Sequence, residues 1–138
     1  MAILSTHCSL LLYAGKEGVC HRCGRQLAGR QSKWCGHNCE DRYWEQHYWP
    51  LARKLALKRD KYKCVRCGSG ENLTVDHIIP LMGRGYSSGC YHHLANLQTL
   101  CHDCHVAKTA DDMAYARSLS ADTAVTGKAP RYMARRRK

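Results

Sequence analysis

From residue 64 the chain reads Cys64-Val65-Arg66-Cys67, then Val75-Asp76-His77-Ile78-Ile79-Pro80-Leu81. It continues with Ala95-Asn96-Leu97-Gln98-Thr99-Leu100-Cys101 and Cys104-His105-Val106-Ala107-Lys108-Thr109. A Cys-x-x-Cys turn aims two thiolates at one point, and two such turns complete a tetrahedral zinc site. Pairing Cys64 and Cys67 with Cys101 and Cys104 draws the run after the first turn against the stretch that begins at the second. Asp76, His77 and His105, far apart in sequence, thereby gain a route to one cleft. Leu73 and Val75 share one face of a short β-like run that continues through Ile79, and a helix is predicted over 105–119.

Working outward, the other cysteines repeat the pattern. Cys20 and Cys23 form a third Cys-x-x-Cys pair, Cys35 and Cys39 a Cys-x-x-x-Cys pair, and Cys8 and Cys90 stand alone. No basic region precedes the short apolar stretch at 10–13, so an export signal is not expected and the chain is placed in a reducing cytoplasm. Structural disulfides are rare there, which favours zinc over disulfides. A redox dithiol of the thioredoxin kind would be a single motif in a βαβ context, whereas these motifs come in pairs. Neighbourhood assigns Cys20, Cys23, Cys35 and Cys39 to one structural zinc, and Cys64, Cys67, Cys101 and Cys104 to a second. His21 and His37 lie inside the first cluster as alternative ligands. Cys8 and Cys90 read as small buried side chains.

The chain has 138 residues, of which 44% are hydrophobic and ten are cysteine. Setting eight cysteines aside for metal leaves about 38% to form a core, thin enough that metal staples are expected. No run reaches the length of a membrane span, so no membrane partner is expected. Residues 1–19 carry no motif. A four-cysteine module with its helix is assigned to 20–49, and that helix, 40–49, ends before Pro50. A basic helix follows over 51–61, with a Gly-rich loop over 82–90. Residues 118–138 read as a linker and a basic, disordered tail. The aromatic run at residues 43–49 does not form one platform on a helix, which favours packing between modules over base stacking. His92 and His93 read as loop polarity, and His102 and Asp103 as solvent-facing.

The second cluster and what it frames resemble the HNH endonucleases, the ββα-metal nucleases, in the subgroup pinned by a four-cysteine zinc. The resemblance covers roughly 51–109 of a nuclease domain assigned to 51–117, with the name-giving positions at His77, Asn96 and His105. It implies a small α+β, zinc-stabilised fold with a treble-clef-like ββα-metal nuclease core, and the first cysteine cluster sets a second four-cysteine zinc-finger module ahead of that core. It further implies His77 as general base and one catalytic divalent metal, Mg²⁺ or Mn²⁺, held by Asp76 and His105. Asn96 would restrain the loop that orients the base, and the products would carry 5′-phosphate and 3′-hydroxyl ends. The first cluster resembles a treble-clef or ribbon-like zinc finger, which the family signature does not require. A histidine base with an ordinary pKa predicts that activity falls as the pH drops through about 6.

Lys+Arg number 22 against 11 Asp+Glu, a formal charge of +11 that points to a polyanionic partner. Two zinc ions held by four thiolates each would lower this to about +7, five of it in the tail. Candidate DNA contacts are Arg53, Lys54, Lys58 and Arg59, then Lys108, then Arg135, Arg136, Arg137 and Lys138; ordinary solvated charge is the competing reading. Double-stranded DNA is the expected substrate, with branched or single-stranded DNA as alternatives. Three readings stand at this point. The chain is a metal-dependent endonuclease or nickase, alone or as a homodimer. Or it cuts beside a phage or restriction partner, as some phage HNH proteins act with a DNA-packaging terminase. Or it is a non-catalytic zinc module that docks on DNA.

Overall fold

Pro50 sets the first feature of the fold. A proline inside a helix clashes with the carbonyl four residues earlier, so one continuous helix through residues 40–61 is not available. In the computed structural model, which describes residues 8, 10–81 and 89–126 (side chains through 120), the chain breaks at Tyr48. Helix α1 spans His37–His47 and helix α2 spans Trp49–Arg59, with Tyr48 extended between them at φ −100° and ψ 114°. Pro50 then falls in the first turn of α2, where its missing N–H costs nothing. Each helix starts two or three residues earlier than the sequence suggested.

Strands β1 (Leu73–His77) and β2 (Leu97–Cys101) form an antiparallel pair, the two-stranded sheet of the described residues. The register sets Leu73 opposite Cys101, Val75 opposite Thr99 and His77 opposite Leu97. Two short 3₁₀ turns, Gly89–His92 and Leu94–Asn96, lead into β2. Helix α3, His102–Thr126, follows β2 without a connecting loop. It passes through the stretch expected to be linker. The reason is local: Ser118 and Ser120 return their hydroxyls to the carbonyls of Tyr115 and Ala116, and no Gly or Pro interrupts the run before Gly127. Residues 127–138, with the basic tail, lie outside the described residues.

The core is divided into small clusters rather than gathered into one. Ala52, Ala56, Val75 and Leu97 pack between α2 and the sheet, with Trp49, Leu57 and Leu94 against them. Leu100, Cys64 and Cys101 form a second cluster, and Leu11, Tyr43 and Cys8 a third. Cys8 is buried, as the sequence suggested. Arg59 ties the end of α2 to the sheet. Its guanidinium donates to the carbonyls of Leu94 at 2.6 Å and Leu97 at 2.7 Å, while Asp60 accepts the Thr99 N–H at 3.0 Å. Arg59 also donates to both Asp60 oxygens, at 2.8 and 2.9 Å, and this above all draws the Asp60 carboxyl below its usual range.

Candidate active site

The last two residues of β1 point to opposite faces of the sheet. Asp76 faces α3, and its Oδ1 lies 3.7 Å from Nε2 of His105 in the first turn of that helix. The other oxygen, Oδ2, lies 2.8 Å from Nζ of Lys108, an ion pair outside hydrogen-bond geometry; Oδ2 is buried and takes part in no hydrogen bond. Lys108 is 2% exposed and also bonds Asp112 one turn on. This corrects the expectation of a lysine free to meet phosphate. Its ammonium is committed to two carboxylates, because a buried charge must be paired. Arg59 is likewise engaged with carbonyls, whereas Arg53, Lys54 and Lys58 stand on the exposed side of α2.

His77 turns the other way, into the protein. Its Nε2 is 3.0 Å from Nδ1 of His92, and its ring stacks on Trp49 with centroids 4.9 Å apart and planes 20° apart. Burial above all holds the His77 imidazole down to about 4; His92 and Lys108 lower it further, against an opposing pull from Asp76. The ring is therefore neutral at neutral pH. Fully buried His92 corrects the reading of that residue as loop polarity, and Trp49, stacked on His77 and tilted against His92, was not anticipated. The local signal was weak: a Tyr-His-His run after a Gly-rich loop names no partner.

Asn96 holds the backbone that leaves the site. Its Oδ1 accepts the Ile79 N–H at 2.8 Å, and its Nδ2 donates to the carbonyls of Ile79 at 3.3 Å and Tyr91 at 2.9 Å. Its own carbonyl accepts the Ile78 N–H at 2.7 Å. One side chain thus joins the segment after His77 to the turn that carries His92.

The two cysteine quartets are built alike. In each of Cys20/Cys23/Cys35/Cys39 and Cys64/Cys67/Cys101/Cys104, the four Sγ atoms lie within 4.8 Å of one another. The Sγ–Sγ separations of 3.5 Å (Cys23–Cys35), 3.8 Å (Cys35–Cys39) and 3.6 Å (Cys67–Cys101) exceed a disulfide bond of about 2.05 Å. They match the edge of about 3.8 Å expected for four thiolates around zinc at about 2.3 Å. Burial raises Cys20 and Cys64, but backbone N–H groups of the knuckle and of the third cysteine outweigh it and bring each to about 6. Their partners Cys35 and Cys104 are pushed up to about 12, chiefly by hydrogen bonding to neighbouring thiols. Four thiols so close cannot all ionise unless a cation balances them, so both donor sets fit zinc. His21 is no member of the first set; it stands edge-on to Trp34 at 6.0 Å.

A divalent cation between Asp76 and His105 also fits. Ligand bonds of about 2.1 Å allow two donors of one cation to sit up to about 4.2 Å apart, and Asp76 Oδ1 and His105 Nε2, 3.7 Å apart, meet that limit while Lys108 occupies the other oxygen.

Comparison with known proteins adds the family. A model of the HNH endonuclease family matches residues 64–111. A protein named probable HNH endonuclease from Lactococcus phage SK1 is 33% identical over 75 residues, which covers 52% of this chain and 80% of that protein. No solved structure matches. No helix among the described residues is long and apolar enough to cross a membrane. The stretch that matches the family runs from the Cys64 knuckle into α3 and encloses Asp76, His77, Asn96 and His105, and on this footing the chain belongs to the HNH endonucleases and is a nuclease.

Proposed function

We propose that the protein hydrolyses DNA phosphodiester bonds with His77 as general base and one divalent cation held by Asp76 and His105. The observation that carries this reading is the facing pair Asp76 Oδ1 and His105 Nε2, 3.7 Å apart, beside a buried imidazole that stays neutral. A Mg²⁺ or Mn²⁺ ion there supplies charge stabilisation for the scissile phosphate and the departing oxygen. Two protein donors leave room for phosphate and water, which suits either ion.

The protein's own groups do the rest. Neutral His77 takes a proton from the attacking water, and His92 on its far nitrogen holds the ring and its tautomer. Trp49 fixes the ring plane and keeps bulk water from that face. Asn96 restrains the segment after His77, so the base keeps its distance from the phosphate. Lys108 balances the charge of Asp76 and orients its carboxylate toward His105. The products carry 5′-phosphate and 3′-hydroxyl ends.

Both cysteine quartets hold structural zinc in this reading, and 20–49 acts as a zinc-finger module that docks on the nuclease module or on DNA. Arg53, Lys54 and Lys58 contact DNA phosphates, and the tail residues Arg135, Arg136, Arg137 and Lys138 add further contacts. One site per chain makes a nick unless two chains act together.

Supercoiled plasmid incubated with the full chain tests the proposal. Relaxed product is expected with Mg²⁺ or Mn²⁺, none with chelator, and none from Asp76→Ala; a nick that ligase seals reports the 5′-phosphate. Equal cleavage by Asp76→Ala overturns the metal assignment. A nuclease that cuts only beside a partner is a second reading, favoured by the phage origin of the relative. Cleavage by the isolated chain removes it.

A further inference from the structure

A third group of metal-type donors lies outside both quartets. Cys8, His47, Cys90 and His93 bring their donor atoms within 4.8 Å of one another. Cys8 Sγ is 3.2 Å from His47 Nε2 and 3.4 Å from His93 Nε2. The two Nε2 atoms are 3.0 Å apart, and Cys90 Sγ is 4.0 Å from His47 Nε2. A tetrahedral zinc with two sulfurs and two nitrogens implies edges of about 3.3–3.8 Å. The observed separations bracket that range.

The second indication is the outer hydrogen bond of His47. Its Nδ1 lies 2.7 Å from the Tyr43 carbonyl, which can only accept, so Nδ1 carries the proton and Nε2 offers a lone pair to the cluster. A carbonyl on the far nitrogen is the usual support of a metal-bound histidine. The His47 ring is also stacked on Tyr43 at 4.0 Å and 13°, which fixes its direction. A hydrogen bond between the two imidazoles would account for one contact of the group. It leaves unexplained why two thiols converge on the same two nitrogens.

From this we infer that Cys8, His47, Cys90 and His93 form a third zinc site, of two thiolates and two imidazoles. The ligands come from three places in the chain: the segment before Leu10, the end of α1, and the 3₁₀ turn with the residue after it. Between Cys90 and His93 stand Tyr91, whose carbonyl receives Asn96, and His92, which touches His77. The ion would thus pin the turn beside the base to the helix of the first cysteine module. It makes one metal-linked unit of what otherwise reads as two.

The test is metal content of the purified full chain after zinc loading and removal of loose metal. Three zinc ions per chain are expected, three in Asp76→Ala/His105→Ala, and two in Cys8→Ser/Cys90→Ser. Two in the wild type, or three in the serine variant, overturns the site. Should the serine variant fail to fold, zinc-edge X-ray absorption of Asp76→Ala/His105→Ala decides. Imidazole scattering at two nitrogens among twelve donors supports the site, and an all-sulfur spectrum overturns it.

Discussion

The two cysteine quartets use the same clasp and enclose different things. In each knuckle the first cysteine donates its N–H across the turn, Cys20 to Arg25 at 2.8 Å and Cys64 to Ser69 at 2.7 Å. In each, the following glycine returns its N–H to that cysteine, Gly24 at 2.9 Å and Gly68 at 2.8 Å. Both glycines are left-handed, at φ 74° and 77°, where a side chain would be strained. The fourth cysteine sits in the first turn of a helix both times, Cys39 in α1 and Cys104 in α3. The difference is the chain between the second and third ligands. Residues 24–34 supply only Gln26, one partner of a single bridge with Val19, whereas residues 68–100 contain β1 and most of β2. The lesson is that the two clasps are alike and the enclosed chain differs: only the longer insert brings an acid, Asp76, against a histidine in the first turn of the helix that follows.

The largest predicted effect breaks that comparison at the clasp. Cys101→Ser removes the ligand that ends β2 and should abolish both cooperative unfolding of the nuclease module and cleavage. Cys35→Ser should lower thermal stability while leaving single-turnover cleavage of the folded fraction within about tenfold. Loss of the chemical step in both variants alike would show that the modules are not separable in this way.

A smaller effect sharpens the same contrast. Arg59 clamps the hairpin of the second module to α2, and among the described residues the first has no counterpart. Charge-assisted hydrogen bonds to carbonyls contribute about 1.5–3 kcal/mol each when buried. Since Arg59 is 40% exposed, Arg59→Ala should cost less than their sum, about 1–3 kcal/mol in denaturant unfolding. An unchanged midpoint would remove the clamp from the account.

The pH dependence follows from burial. A base works only unprotonated, and a lowered pKa keeps His77 unprotonated to more acid pH. At saturating metal, the single-turnover rate attributable to the base should hold through pH 6 and fall only toward about 4. The sequence alone placed that fall near pH 6, because nothing local revealed that Trp49 and His92 would bury the ring. A midpoint near 6.5 at saturating metal would show His77 to be more solvated than its surroundings indicate. Smallest is the tail. Deleting residues 131–138 should weaken DNA binding and reduce its salt dependence while sparing the chemical step. The log–log slope against salt should flatten by about one for each phosphate that the shortened chain no longer neutralises.

What was legible in the sequence was whatever carries a local pattern. The knuckle pairs, the Asp76-His77 dipeptide, Asn96 and His105 stand at readable spacings, and the break near Pro50 follows from backbone geometry. Strand β2 was not read, because Leu97, Thr99, Leu100 and Cys101 are all buried and the run shows no alternation. Lys108 read as a phosphate contact or a solvated helix lysine, because no local pattern shows that folding places Asp76 beside it. Trp49, His92 and the Cys8–His47–Cys90–His93 group depend on contacts between residues up to 85 positions apart, a distance at which composition and spacing carry no signal.

The central claim is that the hairpin closed by the second clasp carries a general base. Single-turnover cleavage of plasmid DNA by His77→Ala against wild type, at saturating Mg²⁺, tests it most directly. A fall of about 10²–10⁴-fold with undiminished DNA binding is predicted. Equal rates in the two proteins would contradict the assignment of His77 and with it the mechanism.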